Sequence, residues 1–503
     1  MEDRETPFRA GARRLLCAVL LAVFCLLCLA AFCRGENGYL PAAAELLWAG
    51  AALLALLTVR RCARRAGPFF KRWFPWVLGG LCGAFFAAQM VLGFKLRFEP
   101  EWDMLAVYQG GISWGTMGKL TAVSAPTFDA ATYFYYFPNN LGGAGVLAAV
   151  FKISSIMGLT DFFWSAMTVN GLLCTAALAV TALAARELAG ETAGLLAAAA
   201  FLLCPPVWFA APVFYSDFLS FLFPVLAVWL FLKARKQKSA PKRLLLLLLC
   251  CAAAGLGVMI KATVGIVLIA LGMGVLLMER PRRFAAFCLT ALLGVGLWQG
   301  ALGLAVYPRQ LSREEADRLN TPLLHWTMMS LQGDGSYDPA SYEFTRSFSD
   351  KSERRAQVAR ETLARLQKLE PKGFFALADR KWQRCFGNGT LNLSDMLDDA
   401  PATPCSLHDF LLPGGAGYQG YKALCNGVQL CFLALAAALC ARGAMQKRMD
   451  FAWLLAPLCL CGLALFLLFW ETSCRYITNF MPLLFLCAAL ALSVPTPPKE
   501  QKA

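Results

Sequence analysis

Glu99-Pro100-Glu101-Trp102-Asp103 follows directly on an apolar stretch and leads through Tyr108 to Trp114. Carboxylates beside a membrane surface are costly unless they work there, so Asp103 and Glu101 are the first candidates for acid–base chemistry. Other polar groups stand at the mouths of other apolar stretches: Tyr133 to Tyr136 with Pro138, Asn139 and Asn140; Tyr215, Ser216 and Asp217; Lys261 between two apolar runs; and Glu471, Arg475 and Tyr476 before the last run. Carboxylate, amide, ammonium and guanidinium groups gathered in one layer suit a ligand that is both anionic and hydroxylated. A carboxylate can take the proton of an attacking hydroxyl, and a fixed cation can stabilise developing negative charge where water is scarce. Each residue also has a plainer role open to it. Interfacial tyrosines form aromatic belts, Lys261 can snorkel, and Glu471 with Arg475 has the i, i+4 spacing of a helical ion pair.

The elements that must position these groups are membrane helices. Hydrophobic residues make up 58% of the 503 and charged ones 16%, with a mean hydropathy of +0.55. The apolar residues come in uninterrupted blocks, not amphipathic stripes. Crossing the hydrocarbon takes about 20 apolar residues, and closing every backbone hydrogen bond inside the segment makes each block a helix. The chain therefore reads as an all-α polytopic membrane protein with about 13 apolar segments, about 11 to 13 of them true spans. The first, from Leu15 to Phe32, reads as a signal anchor and not a cleaved leader. The expected organisation is anchor spans and a basic loop over 1–72, a transmembrane module over 73–306 with an outer loop at 95–138, an α-rich loop domain over 307–421, and C-terminal helices over 422–503.

The net charge of +15 is placed for topology and not for nucleic acid. Lys and Arg cluster in short loops at 60–72, 233–243, 280–283 and 442–448, and at the N-terminus, which the positive-inside rule assigns to the cytoplasm. The 307–421 segment nearly balances Lys and Arg with Asp and Glu, so it belongs outside, as does the Asp103 loop. The apolar lipid face and the basic loops together imply residence in the plasma membrane. One parity problem follows. Four apolar blocks, Asn139 to Met157, Phe162 to Ala185, Thr192 to Trp208 and Tyr215 to Leu232, separate the outer loop from the inner Lys233 cluster, which an odd number of crossings must join. Thr192 to Trp208, with its Cys204-Pro205-Pro206 break, is the expected half-span.

Most of the 20 cysteines sit in apolar blocks as small hydrophobes. Cys385 and Cys405 share the late loop, where a disulfide is one option. Lys351 to Glu370 reads as an amphipathic helix with Val358, Leu363, Leu366 and Leu369 near one face, resting on the membrane surface or on the bundle. Asn388 and Asn392 open short glycosylation-type patterns that arise readily by chance.

Taken in order, EWDMLAVY, YFYYFPNN, VFYSDFL, MIKATVGI, HWTMMSLQGDGSYD and WETSCRYITNFMPLL resemble bacterial members of the GT-C class of membrane glycosyltransferases, near the protein mannosyltransferase group (family 39). The resemblance covers most of the chain after Trp73. It implies transfer of a sugar from a polyprenyl-phosphate-linked donor to a hydroxyl of a glycan or protein, with inversion and with Asp103 as general base. The leaving phosphate would meet Arg475, Lys261 or a protonated His325; Arg475 is preferred because a guanidinium is the better bidentate clamp. Asn139 and Asn140 would orient sugar or phosphate oxygens, while Trp102, Tyr108, Tyr136, Asp217, Glu471 and Tyr476 would line the substrate. EWD replaces the adjacent Asp-Glu pair of many relatives, which leaves the second carboxylate open between Glu101 and another residue. Some relatives use a divalent metal ion, and no ligand pattern in this chain decides that point. A lipid-linked sugar flippase or transporter, and a glycan polymerase or ligase, are the rival readings. No Walker motif or internal repeat favours transport.

Overall fold

The computed structural model describes residues 7–32, 39–120, 124–125, 128–279, 281–307, 309–398, 401–446 and 449–493. Among the described residues ten helices are long and apolar enough to cross a membrane, and the shorter apolar helix Ala262–Met278 adds another. One of the ten, Phe162–Leu203, folds back on itself at Ala189 and Gly190. Gly190 takes φ +80°, a left-handed conformation that glycine adopts without steric cost. The returning arm lies so close that a Cβ on Gly194 would stand 3.0 Å from the Ala182 carbonyl oxygen. The long helix thus makes two passes.

All of these passes run between two ends. At one end several members of the basic clusters meet acidic partners. Glu187, at the hairpin bend, pairs with Lys233 and Lys236, both at 2.9 Å. Glu279 is held by Arg243 at 2.6 Å and Arg283 at 2.8 Å, and Asp450 by Arg235 at 3.2 Å. Arg13 donates to the Gly443 and Gln446 carbonyls at the same end. Arg280, Lys447 and Arg448 lie outside the described residues, as do Arg4 and the side chain of Arg9. Asp103, Tyr215, Lys261 and Arg475 gather at the opposite end.

The parity problem resolves at a different block from the one expected. Leu141–Ile156 does not cross. It is 16 residues long, about 24 Å at 1.5 Å per residue, against about 30 Å of hydrocarbon. Both its ends lie at the Asp103 end: it begins at Asn140, and beyond it Asp161 pairs with Arg97 at 2.6 Å, just past the Gly67–Lys95 helix. It lies alongside Trp102–Met117, with Gly111 and Gly115 set against Leu147, Phe151 and Ala148. Both helices stop at left-handed glycines, Gly118 as the cap of the first and Gly158 two residues past the second. Thr192 to Leu203 is instead the hairpin's second pass. The Cys204-Pro205-Pro206 break ends it and begins an irregular stretch buried to Tyr215, tolerated because protein covers it and Asn170 Nδ2 donates to the Ala210, Ala211 and Val213 carbonyls.

The last helix, Met481–Ser493, is almost wholly buried. It packs through Phe485 on Phe201 and Phe432, with ring centroids 5.2 and 5.4 Å apart. Ala42–Arg65, Gly67–Lys95 and Pro281–Val306 turn large apolar side chains outward along a lipid face. Six helices between Arg313 and Leu411 cover the site end. Thr321 N–H donates to the Tyr136 carbonyl (3.3 Å) and Thr472 N–H to that of Gly335 (2.8 Å), while buried Lys381 donates to the Leu468 carbonyl (2.7 Å).

The amphipathic helix expected to end at Glu370 continues to Phe386, bending where Glu370 takes φ +51° before Pro371. Its inner face carries Arg354, Val358 and Thr362, while Leu363 and Leu366 are exposed, so the buried stripe is rotated from the expected one. Cys385 and Cys405 are free thiols. Cys405 sits at the Lys95 carbonyl (3.6 Å) and Cys385 is buried, so no disulfide joins them.

Candidate active site

A cavity of about 1430 Å³ opens at the site end between the bundle and the covering helices. Asp103 enters it from the first turn of Trp102–Met117, where a carboxylate also meets the positive end of the helix dipole. Trp102 starts that turn at φ +49° and stands exposed at the rim. Buried tyrosines hold both oxygens of Asp103. Tyr133 donates to Oδ1 at 2.7 Å and Tyr215 to Oδ2 at 3.2 Å. Asn140 Nδ2 donates to the Tyr133 hydroxyl, and Asn140 Oδ1 lies 3.3 Å from that of Tyr215. A hydroxyl has one proton, so Tyr215 serves Asp103 or Asn140 at any moment. Burial first, then the charge of Asp103, push both tyrosines well above the ordinary phenol range, so they stay donors.

Arg475 Nη2 stands 3.9 Å from Asp103 Oδ2. Its guanidinium lies 5.3 Å from the ring centres of both Tyr215 and Tyr476, a cation–π setting that keeps its charge without a tight ion pair. The i, i+4 pairing with Glu471 does not form, because residues 471–473 are extended and the following turn is 3₁₀. Glu471 instead accepts the Tyr476 hydroxyl at 2.8 Å. Burial raises the carboxyl of Glu471 despite Arg475 and Tyr476 nearby. Lys261 breaks the chain between Ala240–Ile260 and the next helix, forms an ion pair with buried Asp217, and lies 4.8 Å from the Tyr476 ring centre. Its charge is largely spent on Asp217.

The cavity wall includes Glu101, Trp102, Asp103, Tyr108, Tyr136, Asn139, Asn140, Lys261, Glu471, Arg475 and Tyr476. Two of the expected site residues stand elsewhere. Asp217 is buried behind Lys261 and supports it without lining the substrate space. His325 is fully buried, with Nδ1 2.7 Å from the Thr345 hydroxyl. Burial and then Arg365 pull it down to about 4, so it is neutral near pH 7 and is no cation for a phosphate. Its neighbour Trp326 reaches the cavity instead, stacked on Trp470 with centroids 6.0 Å apart.

The roles of Tyr133 and Tyr215 as holders of Asp103, and of Trp326 and Trp470 as wall, escape a reading of the sequence. The only local signal was that each stands in an aromatic or polar run. Among the described residues no three His, Cys, Asp or Glu side chains come together to hold a metal ion. The carboxylate of Asp103 is taken up by two hydroxyl donors and a guanidinium, a poor setting for a divalent cation.

No curated protein matches the chain. Among solved structures, the archaeal oligosaccharyltransferase AglB from Archaeoglobus fulgidus, in complex with an inhibitory peptide and a dolichol-phosphate, is similar at a TM-score of 0.41 and 12% identity. The match covers 84% of this chain and 50% of that one, so the chain spans half the length of that enzyme. A family model described as conserved hypothetical integral membrane protein matches residues 32–495. That match spans most of the chain, and the chain belongs to the family of conserved hypothetical integral membrane proteins.

Proposed function

We propose that the protein is a membrane glycosyltransferase that moves a sugar from a polyprenyl-phosphate-linked donor to a hydroxyl of a glycan or protein at the extracytoplasmic face of the plasma membrane. One observation carries the reading: a carboxylate and a guanidinium, Asp103 and Arg475, stand together, 3.9 Å apart, in the wall of a large polar and aromatic cavity. The motif order that resembles family 39 supports it, and the basic loops support the orientation.

The acceptor oxygen adds to the sugar's anomeric carbon while its proton passes to Asp103. The anomeric C–O bond breaks on the opposite face, and the lipid phosphate leaves with the bonding pair. That is one displacement with inversion. The tyrosine bonds use one lone pair on each Asp103 oxygen and fix the carboxylate's direction. As Asp103 gains the proton it loses charge, its hold on Arg475 weakens, and the guanidinium is released toward the departing phosphate. Asn139 and Asn140 orient oxygens of the sugar, and Trp102, Tyr108 and Tyr136 line it. Glu101 stands at the rim as a supporting carboxylate.

The test is the purified protein in vesicles holding a radiolabelled polyprenyl-phosphate sugar. Label passing into a water-soluble acceptor supports transfer. Movement of intact donor across the bilayer would replace this reading with a flippase, and transfer of a preassembled chain would make it a ligase. Orientation is checked separately with an impermeant thiol reagent on intact cells, over the background of native thiols. Ser347→Cys should label and Ser239→Cys should not, and the reverse pattern would put the cavity in the cytoplasm.

A further inference from the structure

Tyr136 is a shared wall. On its far side lies a second hollow of about 150 Å³, bordered by Arg318, Arg346 and Arg354 and by no Asp or Glu. The three arginines come from three separate helices of the covering layer, Arg313–Leu319, Pro339–Arg346 and Lys351–Phe386. Their states differ. Arg318 is paired with Glu315 on its own helix. Arg346 lies 4.0 Å over the Tyr136 ring and 5.2 Å from that of Tyr342, with no carboxylate partner among the described residues. Arg354 is only 5% exposed and donates to two carbonyls, Phe348 at 3.1 Å and Arg318. Its Nε has no partner among the described residues.

A buried guanidinium whose contacts are neutral carbonyls has no counter-charge in contact with it, which is costly and favours an anion. Burial accordingly pulls Arg354 down from the ordinary range. No carboxylate among the described residues forms an ion pair with Arg354, and Asp350 acts on it only through space. Asp350 caps the Lys351–Phe386 helix by accepting from Glu353 N–H at 2.7 Å, and Asp317 pairs with Lys351 at 2.8 Å. Asn320, Thr321, Thr345 and Ser349 complete the wall with small polar groups. The hollow has ample room for one oxyanion.

We infer that this hollow binds a phosphate or carboxylate group carried by the acceptor, making the protein selective for acidic acceptors. The inference rests on the transferase reading above. An anion seated between Arg346 and Arg354 leaves the rest of its molecule to pass over Tyr136 into the main cavity, toward Asp103. Recognition of charge is thereby separated from the chemistry, with Tyr136 between the two.

Binding is read first without any donor, by the thermal stability of the whole protein in uncharged-lipid nanodiscs titrated with inorganic phosphate at constant ionic strength. Saturable stabilisation is expected, with chloride inert. Half-saturation should rise about 10-fold or more in Arg346→Gln and Arg354→Gln, and stay unchanged in Arg360→Gln, an exposed arginine on the same helix. Arg346 is exposed, so its variant stays informative even if Arg354→Gln folds poorly. Absence of stabilisation, equal stabilisation of Arg346→Gln, or stabilisation only when phosphatidylglycerol is placed in the disc would each overturn the acceptor site, the last in favour of a lipid headgroup. In transfer assays Arg346→Gln should raise KM for an acidic acceptor and leave that for a neutral one unchanged. If phosphate binds as expected but no sugar is ever transferred, the transferase reading fails and the anion site stands.

Discussion

The two ends of the helix bundle use the same residue types to opposite purposes. At the basic end Glu187, Glu279 and Asp450 each meet Lys or Arg within 3.2 Å. The cationic partners there are a quarter to three-fifths exposed, and the pairs clip neighbouring helix ends together. At the site end Asp103 is held by two buried hydroxyls, and its cation stands back at 3.9 Å. Arg475 rests on aromatic rings, and the tight pair, Lys261 with Asp217, is packed behind the wall. A charge satisfied by the nearest opposite charge is finished. One held by hydroxyls and rings remains able to accept a proton or an anion.

The largest effect should separate the two ends outright. Asp103→Asn keeps the shape and removes the proposed base, so transfer per folded molecule should fall about 100-fold or more. Glu187→Gln at the basic end removes two pairs with partly exposed lysines, each worth roughly 0–1 kcal/mol, and should leave turnover within about twofold. Similar losses in both, with expression matched, would erase the distinction.

Arg475 comes next. Arg475→Ala should lower turnover by about 10- to 100-fold and weaken binding of the lipid donor, with Arg475→Lys between it and the native protein, because the ammonium keeps the charge and loses the fork. Lys261→Met should act mainly on folded yield, since it strands Asp217 as a buried carboxylate. A Lys261→Met protein that folds well and loses donor binding while Arg475→Ala keeps it would move the clamp to Lys261.

Tyr133→Phe tests how the carboxylate is held. A hydrogen bond to a charged group contributes about 1.5–3 kcal/mol, so turnover should drop roughly 10-fold or more. Tyr215→Phe should cost less, its bond being longer and shared with Asn140. Equal and negligible changes would mean that the helix alone orients Asp103.

The smallest effect concerns His325. It is held at about 4 in the fold against 6.5 unfolded, so between those values the unfolded chain binds a proton that the folded one refuses. Stability should therefore fall as the pH drops from about 6.5 toward 4, by roughly a few degrees in apparent Tm. His325→Phe should flatten that slope without changing phosphate or donor binding near pH 7. A change in donor affinity would return His325 to the site.

Much of the architecture was legible because hydrocarbon demands a single thing of a crossing segment, about 20 apolar residues with its backbone bonds closed inside. Leu141–Ile156 shows where that rule stops. It is apolar because it packs on Trp102–Met117 and on protein below, and apolar composition does not say whether lipid or protein will cover it. Glu471 and Arg475 failed as a helical pair for a related reason, since their spacing means contact only if the backbone between them is helical.

The sequence by itself determined the solvent, most of the passes and the gathering of basic loops at one end, because those follow from composition and charge summed over many residues. It also carried Asp103 and Arg475 as candidates, each at the mouth of an apolar block. Only the tertiary structure decided that Tyr133 and Tyr215, 82 positions apart in the numbering, converge on one carboxylate, that Asp217 and His325 withdraw from the cavity, and that three arginines from separate helices surround one small hollow. Those are facts about distances between segments remote in the chain, and such distances are set by how the helices pack.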